Sequence, residues 1–168
     1  MTQNNMTLKD SKNISFLCFG GADWRYHNRG HIDMQLMRRF AETGTTLFVN
    51  SIMMQKPNLK KNVAGGKSFA HKLIRKTKSI LRGLAKSGVG FRVYSPFSMP
   101  VHHIAWMKSV NDAVVRLQLL IAMRRLKMRD PVIWVSCPTA CDVAAKIKHK
   151  KLVYQRIDML EEYPHVDV

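Results

Sequence analysis

Five short runs of apolar, β-branched or aromatic residues punctuate the chain: Ile14 to Phe19 (ISFLCF), Thr45 to Asn50 (TTLFVN), Phe91 to Ser95 (FRVYS), Val132 to Ser136 (VIWVS) and Lys151 to Ile157 (KLVYQRI). The first, second and fourth are apolar almost throughout, the pattern of strands covered on both faces of a parallel sheet. Between them apolar residues recur at helical spacing. His31 to Thr43 carries Ile32, Leu36, Met37 and Phe40 on one stripe and stops at Gly44. Lys67 to Leu84 places Phe69, Ala70, Leu73, Ile74, Thr77, Ile80, Leu81 and Leu84 on one side and Lys67, Lys72, Arg75, Lys76, Lys78, Arg82 and Lys86 on the other. Val101 to Met128 gathers Ala113, Val114, Leu117, Leu120 and Ile121 on one face before Asp130-Pro131 ends it; Asn111 and Asp112 offer a later starting point for that helix. Thr139 to His149 forms a short last helix. Strands alternating with helices predict βαβ units: an α/β, Rossmann-like, doubly wound parallel sheet of about five strands with helices on both faces.

In such a sheet, ligands bind outside the carboxyl ends of the strands. The segments leaving those ends are GGADWRYHNRG, NSIMMQKP, SPFSMPVHH, SCPTACD and IDMLEEYP, so polar and aromatic residues converge on one edge. At 168 residues the chain suits one domain, and its 46% hydrophobic content excludes wholesale disorder. Residues 1–13 are polar and lack an apolar h-region, which predicts a disordered polar N-terminus ahead of a domain over residues 14–168. No apolar run reaches the ~20 residues of a membrane span. The three cysteines, Cys18, Cys137 and Cys141, suit reduced thiols in a cytoplasmic protein; the CPTAC spacing matches neither a redox nor a zinc motif, and no metal or cofactor is expected.

Charge sharpens this picture. Lys and Arg number 28 against 11 acidic residues, a net charge of +17, and no Asp or Glu falls between Glu42 and Asp112. Such a field attracts phosphate on a nucleotide ligand, a nucleic acid or an anionic membrane. The basic face of the second helix (Lys72, Arg75, Lys76, Lys78, Arg82) is either a solvated crossover face or a surface laid against anionic lipid. Aromatic residues are not interleaved with it as single-stranded nucleic acid would favour, so nucleic acid ranks below membrane.

The first loop lacks G-x-G-x-x-G, and GGKS at Gly65 to Ser68 lacks the earlier glycine and leading strand of a phosphate-binding loop. The first loop instead offers Arg29 beside a helix amino terminus as an anion seat. Trp24 and Tyr26 are candidates to stack on a ring, or else cover the sheet edge, and Arg25 stands with them. Asp158, at the opening of the last strand onto the ligand edge, is the candidate general base, with His102 and His103 as rivals.

Three segments carry a resemblance. NRGHIDMQLMRRFAETGTTLFV resembles the Arg-Pro-x-His-x-Leu … Leu-Ala-x-x-Gly-x-x-Val-Leu-Tyr-Val segment of bacterial glycosyltransferases of the GT-B fold, through Arg29, Phe40-Ala41 and Gly44. VIWVSCP resembles their later Trp-x-x-x-Pro strand through Trp134 and Pro138. LVYQRIDMLEEYPHVD resembles their Tyr-Asp-x-x-Asp-Asp … Phe-Pro-Gly segment. Gly30 stands for the usual proline, Gln155 for the first aspartate and Met159 for the second of the pair, leaving Asp158 alone to carry the pair's role.

The resemblance implies one half of a GT-B fold: the amino-terminal, acceptor-binding domain, whose nucleotide-sugar sits mainly on a C-terminal donor domain that has no counterpart in this sequence. It further implies sugar transfer from a nucleotide-sugar, as co-substrate, to a lipid-linked or envelope-glycan acceptor, in a cytoplasmic enzyme peripheral at the inner face of the cell membrane, with the isolated domain inactive. Arg29, Trp24, Arg25, Tyr26, His102 and His103 would then touch acceptor or donor. The alternative is a non-enzymatic basic α/β module that binds nucleic acid or other anionic partners. A stand-alone enzyme built on His102 or His103 is disfavoured, because neither a nucleophile elbow nor a complete triad is present.

Overall fold

The computed structural model describes residues 14–25, 31–52, 74, 77–99 and 105–156. Within them six strands form one sheet in the order β3-β4-β2-β1-β5-β6: β1 (Ser15–Phe19), β2 (Thr45–Val49), β3 (Ala85–Lys86), β4 (Arg92–Tyr94), β5 (Val132–Val135) and β6 (Lys151–Tyr154). Five of them run parallel, as the apolar runs require. The sixth, β3, is a two-residue antiparallel edge on β4 that the sequence pattern does not announce. The α/β, Rossmann-like class therefore holds.

Alternation along the strands makes two cores. Leu17, Phe19, Leu47, Val49, Ile133 and Val135 point to one face, where α2 (Ala105–Arg125) and α3 (Cys141–Ala145) cover them. Cys18, Phe48 and Val93 point to the other, where α1 (Ile32–Thr43) brings Met34 and Met37. Phe40 extends this second core by stacking on Phe16 at 4.4 Å and meeting Trp134 edge-on at 6.2 Å.

The predicted stripe on α1 shifts slightly: Met34 and Met37 are fully buried, whereas Ile32 is half exposed. Gly44 does end the helix, its N–H donating to the Phe40 carbonyl at 2.9 Å. Its backbone is extended rather than left-handed. Glycine is needed there because a Cβ would collide with the carbonyl of Ile14, where β1 and β2 begin side by side.

Two helical expectations are corrected. On α2 the predicted apolar face, Ala113, Val114, Leu117, Leu120 and Ile121, is exposed, and Val115, Leu119, Ala122 and Met123 are buried instead. The helix closes before Met128, with Lys127 left-handed (φ 55°), its N–H on the Arg124 carbonyl, and the Met128 N–H on the Met123 carbonyl. In the basic stretch, residues 77–81 are helical, yet Ile74 and Leu81 stand exposed with Lys78 and Arg82, and Ser79 is the buried residue. On the inward side of both stretches a buried polar residue hydrogen-bonds to the rest of the fold, Asn111 on α2 and Ser79 in the basic stretch.

Candidate functional site

The carboxyl ends of the strands are drawn together by one further hydrogen bond each. Gly20 N–H donates to Val49 O (2.9 Å), Ser136 N–H to Phe19 O (2.9 Å), Asn50 N–H to Tyr94 O (2.8 Å) and Gln155 N–H to Val135 O (2.8 Å). β1 lies between β2 and β5, the chain after β1 passing to α1 on one face and the chain after β5 to α3 on the other. This reversal is the topological switch point, where α/β sheets leave a crevice for ligands.

Gly20 and Gly21 carry the chain off β1 at this switch point, Gly21 lying against the Ser136 carbonyl. A Cβ on Gly20 would strike the Phe48 ring, so only glycine lets the chain turn off β1 so closely. Gly21 N–H donates to Asp33 Oδ2 at 3.1 Å, and Met34 N–H to Asp33 Oδ1 at 2.8 Å. Asp33 is 1% exposed and supplies negative charge at the amino terminus of α1. Two backbone donors at this corner, one of them in the first turn of α1, are thus taken by the protein's own carboxylate. Across the switch point the hydroxyl of buried Ser136, and on the first loop Asp23 Oδ1, are buried oxygens with no hydrogen-bond partner among the described residues. Unsatisfied buried oxygens are uncommon and call for a partner.

Next to the switch point a second polar group locks three strand ends to the basic helix. Asn50 accepts Trp24 N–H on Oδ1 (2.9 Å) and donates from Nδ2 to Ser95 Oγ (2.7 Å) and Ser79 Oγ (3.4 Å); the two serine hydroxyls lie 2.5 Å apart. All three side chains are buried. Sequence reading missed this cluster and Asp33; a polar residue closing an apolar strand, and an Asp in a first helical turn, were the available signals.

The predicted site residues divide. Trp24 is corrected: it is 1% exposed, with Phe91 edge-on at 4.8 Å and Phe48 at 6.3 Å, so its ring fills the core beside α1 and offers no face to a sugar. Large aromatic area is best buried where a slot exists, and Phe48 and Phe91 build one. Arg25 is exposed, but its guanidinium reaches Lys86 O on the edge strand β3 (3.5 Å), away from the β1–β5 junction. Lys78 and Arg82 are exposed cations, as expected. Tyr26, Arg29, Lys72, Arg75, Lys76, His102, His103, Asp158 and residues 1–13 lie outside the described residues.

The thiols are not set up as nucleophiles. Burial, and then the negative charge of Asp33, raise the pKa of Cys18 well above the ordinary value. Burial likewise raises Cys137, whose Sγ lies 3.0 Å from Thr139 Oγ1, and Cys141. Among the described residues no three His, Cys, Asp or Glu gather as metal ligands, and no helix is long and apolar enough to cross a membrane. A groove of about 370 Å³ beside α1, lined by Gln35, Arg38, Arg39, Glu42, Val89 and Gly90, lies apart from the switch point.

Gln155 Oε1 accepts the indole N–H of Trp134 at 2.8 Å, tying the end of β6 to β5. Comparison with protein-family models, with curated proteins and with solved structures finds no match to this chain.

Proposed function

We propose that this chain is the acceptor-side half of a GT-B glycosyltransferase that moves a sugar from a nucleotide-sugar to a lipid-linked or envelope-glycan acceptor at the cytoplasmic face of the membrane. The observation that supports this reading is a pair of buried oxygens, Asp23 Oδ1 after β1 and Ser136 Oγ after β5, unpartnered among the described residues where those adjacent strands end. Two oxygens waiting at the ligand edge suit a polyhydroxylated acceptor, whose hydroxyls both donate and accept.

In the sequence Asp158 stands four residues after Tyr154, the last residue of β6. In the proposed reaction its carboxylate takes the proton of the acceptor hydroxyl as that oxygen bonds the anomeric carbon. The bond from the anomeric carbon to the donor's phosphate oxygen breaks, and the nucleotide diphosphate departs with the electron pair. Arg29 holds phosphate, a donor domain contributes most nucleotide contacts, and no further cofactor is called for.

Amide chemical shifts test the binding half of the reading. Titration with a short-chain polyprenyl-diphosphate sugar should move Gly20, Gly21 and Ser136 together. If these amides stay still while RNA moves Lys78 and Arg82 with a steep salt dependence, the basic-module reading replaces this one. In the active enzyme Asp158→Ala should lower turnover by roughly 10²–10⁴ with folding retained, the usual contribution of a general base. Unchanged turnover removes Asp158 from the role.

A further inference from the structure

A helix at the surface of a globular protein ordinarily buries one stripe and turns a polar face outward. α2 does not. Its inward face carries Val115, Leu119, Ala122 and Met123. Its outward face carries Trp106 (69% exposed), Val110 (49%), Leu117 (60%), Leu120 (40%) and Ile121 (46%). With Val114 (38%) between Val110 and Leu117, exposed apolar residues recur every third or fourth position from Trp106 to Ile121 and form one stripe about 22 Å long at ~1.5 Å per residue.

Apart from exposed Asp142, which pairs with Lys108, the described surroundings of the stripe are basic. The acidic residue of α2, Asp112, is buried and paired with Lys108 at 3.1 Å, so the helix shows no exposed carboxylate. Arg124 and Arg125 close its last turn. A second exposed patch of similar chemistry, Ile74 and Leu81 with Lys78 and Arg82, is fastened to the sheet edge through Ser79. Pairing this face with a second copy would bring together two chains of net charge +17, whereas anionic headgroups would neutralise the charge that borders it. A tryptophan near one end and arginines at the other are the residues that settle at a membrane interface.

We infer that the outward stripe of α2 inserts its apolar side chains into an anionic bilayer, the helix lying in the plane of the interface. This rests on the peripheral-membrane part of the proposed function and adds the element that enters the lipid.

Tryptophan fluorescence of the full chain tests it. Trp24 is buried and Trp134 half-buried, so Trp106 is the reporter. Vesicles containing phosphatidylglycerol should shift the emission to the blue, and brominated acyl chains should quench it; Trp106→Phe should remove most of the quenching. Leu117→Gln with Leu120→Gln should weaken vesicle partitioning about tenfold or more, with unchanged far-UV circular dichroism. If the wild-type chain binds none of these vesicles, the inference and the membrane reading both fall. If wild type and double variant bind equally, without quenching by brominated chains, only the inference falls and a purely electrostatic contact remains. A dimer in light scattering that the double variant dissolves, with no vesicle binding, assigns the stripe to self-association and overturns both.

Discussion

The two faces of the sheet are closed by helices of opposite design. α1 seats Met34 and Met37 on the aromatic core and turns Gln35, Arg39 and Glu42 outward. α2 seats Val115, Leu119 and Ala122 on the aliphatic core, and turns Trp106, Leu117 and Ile121 outward. The first helix is satisfied within its own domain. The second has apolar surface to spare, and hydrophobic burial alone does not decide which of its faces meets the sheet. Polar anchors decide: Asn111 Oδ1 accepts Met99 N–H at 2.8 Å, and Gln118 receives Phe97 N–H at 2.9 Å while donating to the Phe97 carbonyl at 3.0 Å. Turning the helix round would strand those backbone groups and bury the outward residues in their place.

The largest expected effect lies on the aromatic side. Trp24→Ala empties a slot between Phe48 and Phe91 and should cost ~3–5 kcal/mol of stability in urea denaturation. A ring serving as a ligand platform would be lost with stability intact, and that result would return Trp24 to the site. On the aliphatic side the contrast runs across one helix. Leu119→Ala should cost ~2–5 kcal/mol, whereas Leu117→Ala, on the outward stripe, should stay within ~0.5 kcal/mol. Equal costs would mean that both faces of α2 are covered in the free chain. Next comes the junction of the two regions. Asn50→Ala leaves Trp24 N–H and two serine hydroxyls short of a partner and should cost ~1–3 kcal/mol. It should also raise hydrogen exchange at Trp24.

How far the chain could be read in advance follows the same division. β1, β2 and β5 were legible because strands covered on both sides read as continuous apolar runs, and these runs also set the doubly wound topology and the edge where ligands meet. β3 was not: two residues with half-buried or exposed side chains, brought back by a turn in which Gly88 and Gly90 have positive φ (83° and 99°), leave no periodicity. Of the site, the carboxyl edge of the sheet was legible from the alternation of strands and helices. Trp24 was misread because its slot is built by Phe48 and Phe91, far along the chain, and an aromatic in a loop looks the same whether its pocket is inside or out. Asn50, Ser79 and Ser95 are individually ordinary; only the fold makes them a cluster.

The smallest effect tests how α2 is held to its neighbour α3. Lys108 bonds Asp142 of α3 as well as Asp112, and its hydrogen bond lowers the carboxyl of Asp142 below its ordinary value, while Asp142 raises the Lys108 ammonium. For a carboxylate depressed in the folded state, stability is fully present above the ordinary Asp value and is lost as pH falls through the lowered one; for the lysine it is lost as pH rises through its raised value. Asp142 is 60% exposed, so solvent screening limits the pair to ~0.2–1 kcal/mol. Asp142→Asn should therefore lower stability at neutral pH only slightly, and flatten the acid limb of the stability profile below the ordinary aspartate range. High salt should shrink the difference between variant and wild type, since the contact is open to ions. A loss of several kcal/mol, insensitive to salt, would mean that Asp142 fixes α2 against the sheet by geometry rather than charge, and would make the α2–α3 contact the element that orients the exposed stripe.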